Sequence, residues 1–269
     1  MRGAARRGAM ARRLLVRRVA AGGALLPYAP AAAAVVVDFV AAQDAQQRLV
    51  EQRRAGGGAD ALLLAALRPV YTLGRRSARA ATGLGAALDH EDLAGLDAEF
   101  LRAAGASVVA TQRGGQVTYH GPGQLVGYPV LDLRRLARAP GSRFSPRQYP
   151  SKLEQALVRA LAPLGIAAYG RSAEGAQLTG VWTGPRDAPR KLAAIGVQIS
   201  GGVTSHGFAL NVTREPLRFF RRIVACGMDH RSVSCVADHM PPGGADSERL
   251  ERRVEELVVE ELKGAFSHG

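Results

Sequence analysis

Only two cysteines, Cys226 and Cys235, occur in 269 residues. One bridge cannot staple a chain of this length, so a disulfide scaffold is excluded and a reducing compartment fits. Cys/His pairs at metal-ligand spacing are lacking, which excludes a structural metal site as an expectation. Aromatic residues make up only 5% of the chain, too few to stack successive bases, so nucleic-acid binding is not expected. Acids are missing from the first 37 residues; the first carboxylate is Asp38. Long unbroken apolar runs are also absent. The 19 uncharged residues from Val19 to Val37 include Gly22, Gly23, Pro27 and Pro30, and eight are alanine, so they would insert weakly into lipid. What remains is ordinary globular composition, 47% hydrophobic and 22% charged, with enough apolar surface to offset the entropy of ordering.

The basic excess is unevenly distributed. Residues 1–37 hold Arg2, Arg6, Arg7, Arg12, Arg13, Arg17 and Arg18; removing these seven from the formal net charge of +13 leaves +6. An arginine-rich, acid-free, alanine-rich start reads as a disordered organelle transit peptide, although serine is absent from it. That reading gives a mitochondrial location, with a plastid or a bacterial cytoplasm as alternatives. An untranslocated extension and a membrane or secretory segment are the competing readings. A single domain is expected over residues 38–265.

Within that domain helix and strand signals alternate. Asp38 to Arg54 reads as a helix with Asp38 as its cap, stopped by Gly56-Gly57-Gly58. Ala61 to Leu67 has the length and continuity of a strand, and Val70 to Gly74 follows it. Residues 75–95 read as a surface loop, Leu96 to Ala104 as helix and Val108 to Thr111 as extended. Gln116 to Leu133 predicts strand, tight turn and strand around Gly121-Pro122-Gly123, where proline and then glycine suit a type II turn. Ser151 to Leu164 is helical until Pro163. Leu192 to Ile199 is apolar enough for a strand buried on both faces, and Ser200-Gly201-Gly202 turns it into a hairpin with Val203 to Val212. Leu250, Val254, Leu257, Val258 and Leu262 mark a terminal helix.

Three stretches carry more glycine and polar chemistry than folding needs. The first is Arg113-Gly114-Gly115-Gln116-Val117-Thr118-Tyr119-His120-Gly121-Pro122-Gly123-Gln124, where paired glycines let a ligand approach the backbone. A glycine-rich hairpin with solvated polar residues is the plain alternative. In the second, Lys191 opens a buried strand, and only two other lysines exist, Lys152 and Lys263. Desolvation there would lower the amine toward a general base; a solvated strand end is the plain alternative. His206 lies on the returning strand, where a buried histidine satisfied by backbone is the plain reading. The third is Ile223 to Met228, in which Cys226 precedes Gly227. A free cysteine usually fills core, but a following glycine leaves the sulfur approachable and its own N–H available to an oxyanion.

Taken together and in order, Arg113–Gln124 with Leu125 to Leu133, Lys191-Leu192-Ala193-Ala194-Ile195-Gly196, Ser205 to Asn211 and Cys226-Gly227 resemble the lipoyl(octanoyl) transferases of lipoate biosynthesis. Phe39 to Arg54 and Val70 to Arg75 extend the resemblance to about residues 36–265. It implies an α+β fold, a single domain with a mixed β-sheet flanked by helices, like that of biotin and lipoate protein ligases. It also implies transfer of an octanoyl group from octanoyl-acyl carrier protein to a lysine of lipoyl domains, those of 2-oxoacid dehydrogenase E2 subunits and of the glycine cleavage H protein. By position Cys226 matches the acyl-accepting nucleophile and Lys191 its partner. Arg113, Gly114, Gly115, Gln116, Val117, Thr118, Tyr119 and His120 match substrate-binding positions, as do Ala194, Ile195, Gly196, Gly207, Phe208 and Ala209. No cofactor is implied. Ala225 stands where the family has proline, and Cys235 where it has serine, which makes Cys235 the fallback nucleophile. The alternatives are an ATP-dependent lipoate or biotin ligase on the same fold, and a binding-only relative.

Overall fold

The computed structural model describes residues 14–29, 35–78, 96–136, 145–223, 232–241 and 246–267. In chain order its elements begin with β1 (Leu15–Val19), β2 (Leu25–Pro27), β3 (Val36–Val37), α1 (Phe39–Arg54), β4 (Ala61–Leu67), β5 (Val70–Leu73) and α2 (Arg75–Ala78). Next come α3 (Ala98–Ala103), β6 (Ser107–Ala110), β7 (Val117–His120), β8 (Gln124–Val130), α4 (Gln148–Leu161) and β9 (Ala168–Gly170). β10 (Gly180–Thr183), β11 (Arg190–Ser200), β12 (Val203–Asn211), α5 (Glu215–Phe220) and α6 (Ser247–Phe266) complete the set.

Among the described residues the large sheet runs β2-β1-β4-β8-β12-β11-β10-β9, with β3 also paired to β4. It is mixed, because β1 and β3 run parallel to β4 while its other pairs are antiparallel. Alternation explains why β4 is apolar throughout. Leu62 and Leu64 share a cluster with Leu153 and Leu157 of α4 and Val258 and Leu262 of α6, whereas Leu63 and Ala65 pack with Phe39, Ala42 and Ala45 of α1. Successive side chains of a strand point to opposite faces, and here helices cover both. The single domain with a mixed sheet flanked by helices is therefore as expected. No helix among the described residues is long and apolar enough to cross a membrane.

Two sequence expectations need correction, the leader and the full burial of the strand at 192–199. Leu14 and β1 lie within the stretch assigned to a disordered leader, yet Leu15 to Arg18 pair with Ala61 to Leu64, and Leu14 and Val19 are buried. Local composition misled because the acid that neutralises Arg18 is Glu255 on α6, far along the chain. Residues 1–13 and 30–34 lie outside the described residues, as do 79–95, most of the loop expected at 75–95.

Strand, tight turn and strand form as expected around Gly121-Pro122-Gly123, but the two strands do not pair, so the plain hairpin alternative falls. The turn itself is as expected: Gln124 N–H donates to Gly121 O at 3.2 Å, and Gly123 has φ +81°. However, β7 joins β5 in a second sheet, ordered β6-β5-β7, while β8 runs between β4 and β12 in the first. Gln124-Leu125-Val126-Gly127-Tyr128-Pro129-Val130 is buried enough to be a central strand with both edges taken, which leaves no edge for β7.

β11 is fully buried only at Lys191–Ala193; from Ala194 onward it is half-buried, because one side of it walls a cavity. The hairpin to β12 forms as expected, through Gly201 and Gly202 at φ +59° and +79°. Positive φ at both central residues is the requirement of a type I′ turn.

Candidate active site

A cavity of about 420 Å³ lies where the two sheets, α1 and the start of α4 meet. Its walls are mainly apolar side chains and glycine backbone, with a few convergent polar groups, the usual make-up of a small-ligand site. Of the motif residues singled out above, Arg113, Gly114, Gly115, Thr118 and His120 line it, together with Lys191. So do Ala194, Ile195 and Gly196 of β11 and Gly207, Phe208 and Ala209 of β12, which face one another in register.

Gln116, Val117 and Tyr119 are not among the lining residues. Strand alternation divides the motif: Thr118 and His120 turn to the cavity, while Val117 and Tyr119 turn into a separate core with Tyr71, Phe219 and Phe220. There Tyr119 stacks on Phe219 with ring centroids 4.1 Å apart. The sequence reading also left out Phe39, Arg75, Arg76, Tyr128, Gln177 and Thr179, all of which line the cavity. Phe39 and Arg75 sat in motifs already noted, but nothing local marked the segment around Gln177.

Arg113 is buried and its guanidinium is held in place. Nε donates to Thr72 Oγ1 at 3.1 Å and Nη1 to Gly114 O at 3.0 Å, while Nη2 bonds both the hydroxyl and the carbonyl of Thr72. The side chain thus ties β5 to the glycine loop and leaves a fixed positive charge beside two histidines. Burial, reinforced by that charge, lowers His120 to about 3 and His206 to about 4, so both rings are neutral at physiological pH. Gln124 beside His120 acts the other way without reversing the result. His206 has φ +57° and is the one non-glycine residue with positive φ among the described residues. Its N–H donates to Gln46 Oε1 of α1 at 2.7 Å, which helps hold this costly conformation in place.

These two histidines make a measurable prediction for stability. Below pH 6.5 the unfolded chain protonates both, whereas the folded chain keeps them neutral down to about 4 and about 3. Their contribution is complete above that unfolded value and is lost as pH falls through the window. Each histidine adds a slope of up to about 1.4 kcal/mol per pH unit. Urea midpoints taken between about pH 7 and about pH 5.5, above the main carboxylate range, should fall steeply. His206→Asn, which tolerates the positive φ, should remove its share of that slope, to which the buried His120 and the partly buried His239 also contribute. An equal slope in the variant would contradict the assignment.

Lys191 is buried, lines the cavity, and holds its Nζ 4.7 Å from the centroid of the Trp182 ring. Its carbonyl accepts from Ser234 N–H at 3.0 Å, and Lys191 forms a parallel bridge with Val233. Arg190, the residue before it, donates to Ser234 Oγ at 2.7 Å and pairs with Asp238 at 3.1 Å. A further relay runs from Gln124 Nε2 to Asn211 Oδ1 at 2.8 Å and from Asn211 Nδ2 to Ser234 O at 2.9 Å. The first two motif stretches are therefore joined through the segment around Ser234.

Cys226, with Ala225 and Gly227, lies outside the described residues. Cys235 is described and fully buried. Burial, followed by the charge of Asp238, pushes its thiol up to about 11, so at neutral pH it is protonated and a poor nucleophile. The glycines of the cavity serve different ends. A Cβ on Gly196 would press on Gly114 O at 3.0 Å, which closes β11 against the glycine loop. A Cβ on Gly207 would meet Gly127 O at 2.1 Å, so that glycine serves the packing of β12 on β8 and not room for a ligand.

Similar proteins agree with this architecture. The chain is 45% identical over 178 residues to an octanoyltransferase of Acidobacterium capsulatum, a match covering 65% of this chain and 65% of that protein. To the octanoyltransferase of Koribacter versatilis it is 41% identical over 175 residues, covering 65% and 61%. To that of Solibacter usitatus it is 46% identical over 178 residues, covering 66% and 69%. The chain thus spans about two thirds of the length of the curated relatives it matches. Among solved structures, lipoate-protein ligase A bound with ATP superposes with a TM-score of 0.58 at 14% identity, over 94% of this chain and 86% of that one. A bi-partite lipoate protein ligase from Thermoplasma acidophilum does so with 0.52 at 14% identity, over 81% and 79%. At these identities the likeness is one of fold. The lipoyl protein ligase A/B catalytic domain matches residues 38–258, well over half of the chain. The chain belongs to that family.

Proposed function

We propose that this protein transfers an octanoyl group from octanoyl-acyl carrier protein to the acceptor lysine of a lipoyl domain, through a thioester on Cys226. The observation that carries this reading is the mostly apolar cavity with a buried lysine in its wall, in a chain whose relatives bear the name octanoyltransferase.

The chemistry balances without an energy source. The Cys226 sulfur attacks the donor thioester carbonyl; the carbon–sulfur bond of the donor breaks, and the carrier leaves as a thiol with the proton Cys226 gave up. One thioester has replaced another, at little net free-energy change. The amine of the incoming lysine then attacks the acyl-enzyme, an amide forms, and Cys226 takes back a proton. Splitting the transfer in two is covalent catalysis. Lys191, buried in the cavity wall, carries protons between sulfur and amine. The cavity exceeds the volume of an eight-carbon chain, leaving room for the end of the acceptor lysine. Acceptors of this chemistry are the lipoyl domains of 2-oxoacid dehydrogenases and of the glycine cleavage system. A basic face, with Arg75 and Arg76 at the cavity, suits acidic protein partners. An organelle-targeting role, with a mitochondrial destination, is proposed for residues 1–13 alone, since β1 is built into the sheet.

The competing reading is an ATP-dependent ligase, favoured by the fold of the solved neighbours. The experiment incubates full-length protein with octanoyl-acyl carrier protein and an apo lipoyl domain, with and without ATP. Octanoylation of the lipoyl domain without ATP is expected. Modification that requires ATP and accepts free octanoate would overturn the proposal in favour of the ligase.

A further inference from the structure

Trp182 is the only tryptophan in the chain. It is buried, and its Nε1 donates to Leu178 O at 2.8 Å, which fixes the plane of the ring. Trp182 and Lys191 are register partners across β10 and β11, just beyond an irregularity between Val181 and Trp182. Two residues earlier Gly180, at φ +146°, leaves the space that the lysine stem fills: a Cβ there would come within 2.7 Å of Lys191 Cε. Gly180 N–H in turn donates to the buried Glu154 Oε1 at 2.8 Å, anchoring the segment to α4. The lysine stem is thus confined by Gly180, and its ammonium is held over the indole face at the wall of the cavity.

We propose that Trp182 is a positioning residue for Lys191, its indole face holding the ammonium in place while leaving the proton transferable. This rests on the reading of Lys191 as the proton carrier. The physical logic lies in the strength of the contact. A carboxylate in the same place would lock the lysine in its charged form. The face of an aromatic ring attracts a cation through its quadrupole, more weakly and without any proton affinity of its own. The ring contact therefore fixes geometry and offsets part of the desolvation cost without itself binding the proton.

The titratable and charged groups packed around the pair come from several elements. Among the described residues they include Glu154 of α4, Tyr169 of β9, Arg171, Arg190 of β11, and Cys235, Asp238 and His239 beyond Ser234. Arg171 also lies over the indole, its Cζ 5.2 Å from the ring centroid. Arg75, Arg76, Arg113, Tyr128 and the neutral His120 and His206 share the cavity. Guanidinium groups do not deprotonate in the alkaline range, so Tyr128, Tyr169, Cys235 and, on the proposed mechanism, Cys226 are the groups to separate from Lys191 there.

A chain with one tryptophan permits a direct test. Global incorporation of mono-, di- and trifluorotryptophan alters this ring alone, draining its face of electron density with little change in size. The fluorescence of Trp182 in full-length protein is followed against pH, with Lys191→Met as the control. The expected result is a step that Lys191→Met lacks and whose midpoint moves down with each fluorine, by about one pH unit in all. The midpoint must move down because a weaker ring stabilises the ammonium less. Octanoyl transfer should follow, with a changed pH profile of kcat and a KM for the octanoyl carrier constant within about twofold. A midpoint that ignores fluorination while Lys191→Met is inactive overturns the positioning role and leaves the reading of Lys191 standing. Full activity of Lys191→Met overturns both.

Discussion

Cys226→Ser is expected to abolish the octanoyl adduct that intact-mass measurement should detect after the wild-type protein meets octanoyl-acyl carrier protein, and to lower kcat by at least about a thousandfold. A serine hydroxyl is far less acidic than a thiol, so the fraction of anion available for attack collapses even with the same neighbours. Lys191→Met should keep the sulfur but slow both half-reactions, since proton movement to and from the acyl-enzyme loses its carrier. If the two residues act as a unit, the double variant will be no slower than the worse single one. Cys235→Ser is the informative comparison: that side chain is fully buried with its thiol pushed up to about 11, so it should retain the adduct. An undiminished adduct in Cys226→Ser, or its loss in Cys235→Ser at unchanged stability, would move the nucleophile away from Cys226.

What local pattern encodes was legible in the sequence. Apolar residues at helical spacing marked α1 and α6, continuous apolar runs marked β4 and β11, and the pair Gly201-Gly202 marked the hairpin that brings Ala209 opposite Ala194. Interactions that depend on distant partners were not legible. β1 carries two arginines and looks like a leader until Glu255 of α6 is placed beside Arg18. The long glycine motif reads as one site, yet alternation along β7 gives Thr118 and His120 to the cavity and Val117 and Tyr119 to another core. Lys191 was conspicuous as one of three lysines, but its indole partner depends on an irregular register between β10 and β11 that no spacing rule anticipates. His206 looked like an ordinary buried histidine; its positive φ and the reach of Gln46 from α1 appear only in three dimensions.

Gly207→Ala should be among the most damaging single-methyl changes in the molecule. The added Cβ would stand 2.1 Å from Gly127 O and 2.7 Å from Pro129 Cδ, both parts of the neighbouring strand β8 and neither able to rotate away. The opposition is mutual, because a Cβ on Gly127 would meet the Phe208 ring at 2.4 Å. The two strands approach this closely at the centre of the sheet, where β8 is also paired with β4, so relief requires moving backbone on both sides. Overpacking of this kind costs at least about 3 kcal/mol, equivalent to roughly 6–12 °C in Tm for a domain of this size. Gly201→Ala serves as the reference. It has nothing within 4 Å of its Cβ and carries only the penalty of φ +59°, about 1 kcal/mol. Urea and thermal midpoints of the two variants should therefore differ severalfold in their loss. Because His206, Phe208 and Ala209 line the cavity, the fraction of Gly207→Ala that stays folded should also bind the acyl donor more weakly, whereas Gly201→Ala, at the far end of the hairpin, should not. Equal losses in the two variants would mean that β8 and β12 can separate freely, and the glycine at 207 would then lack its structural reason.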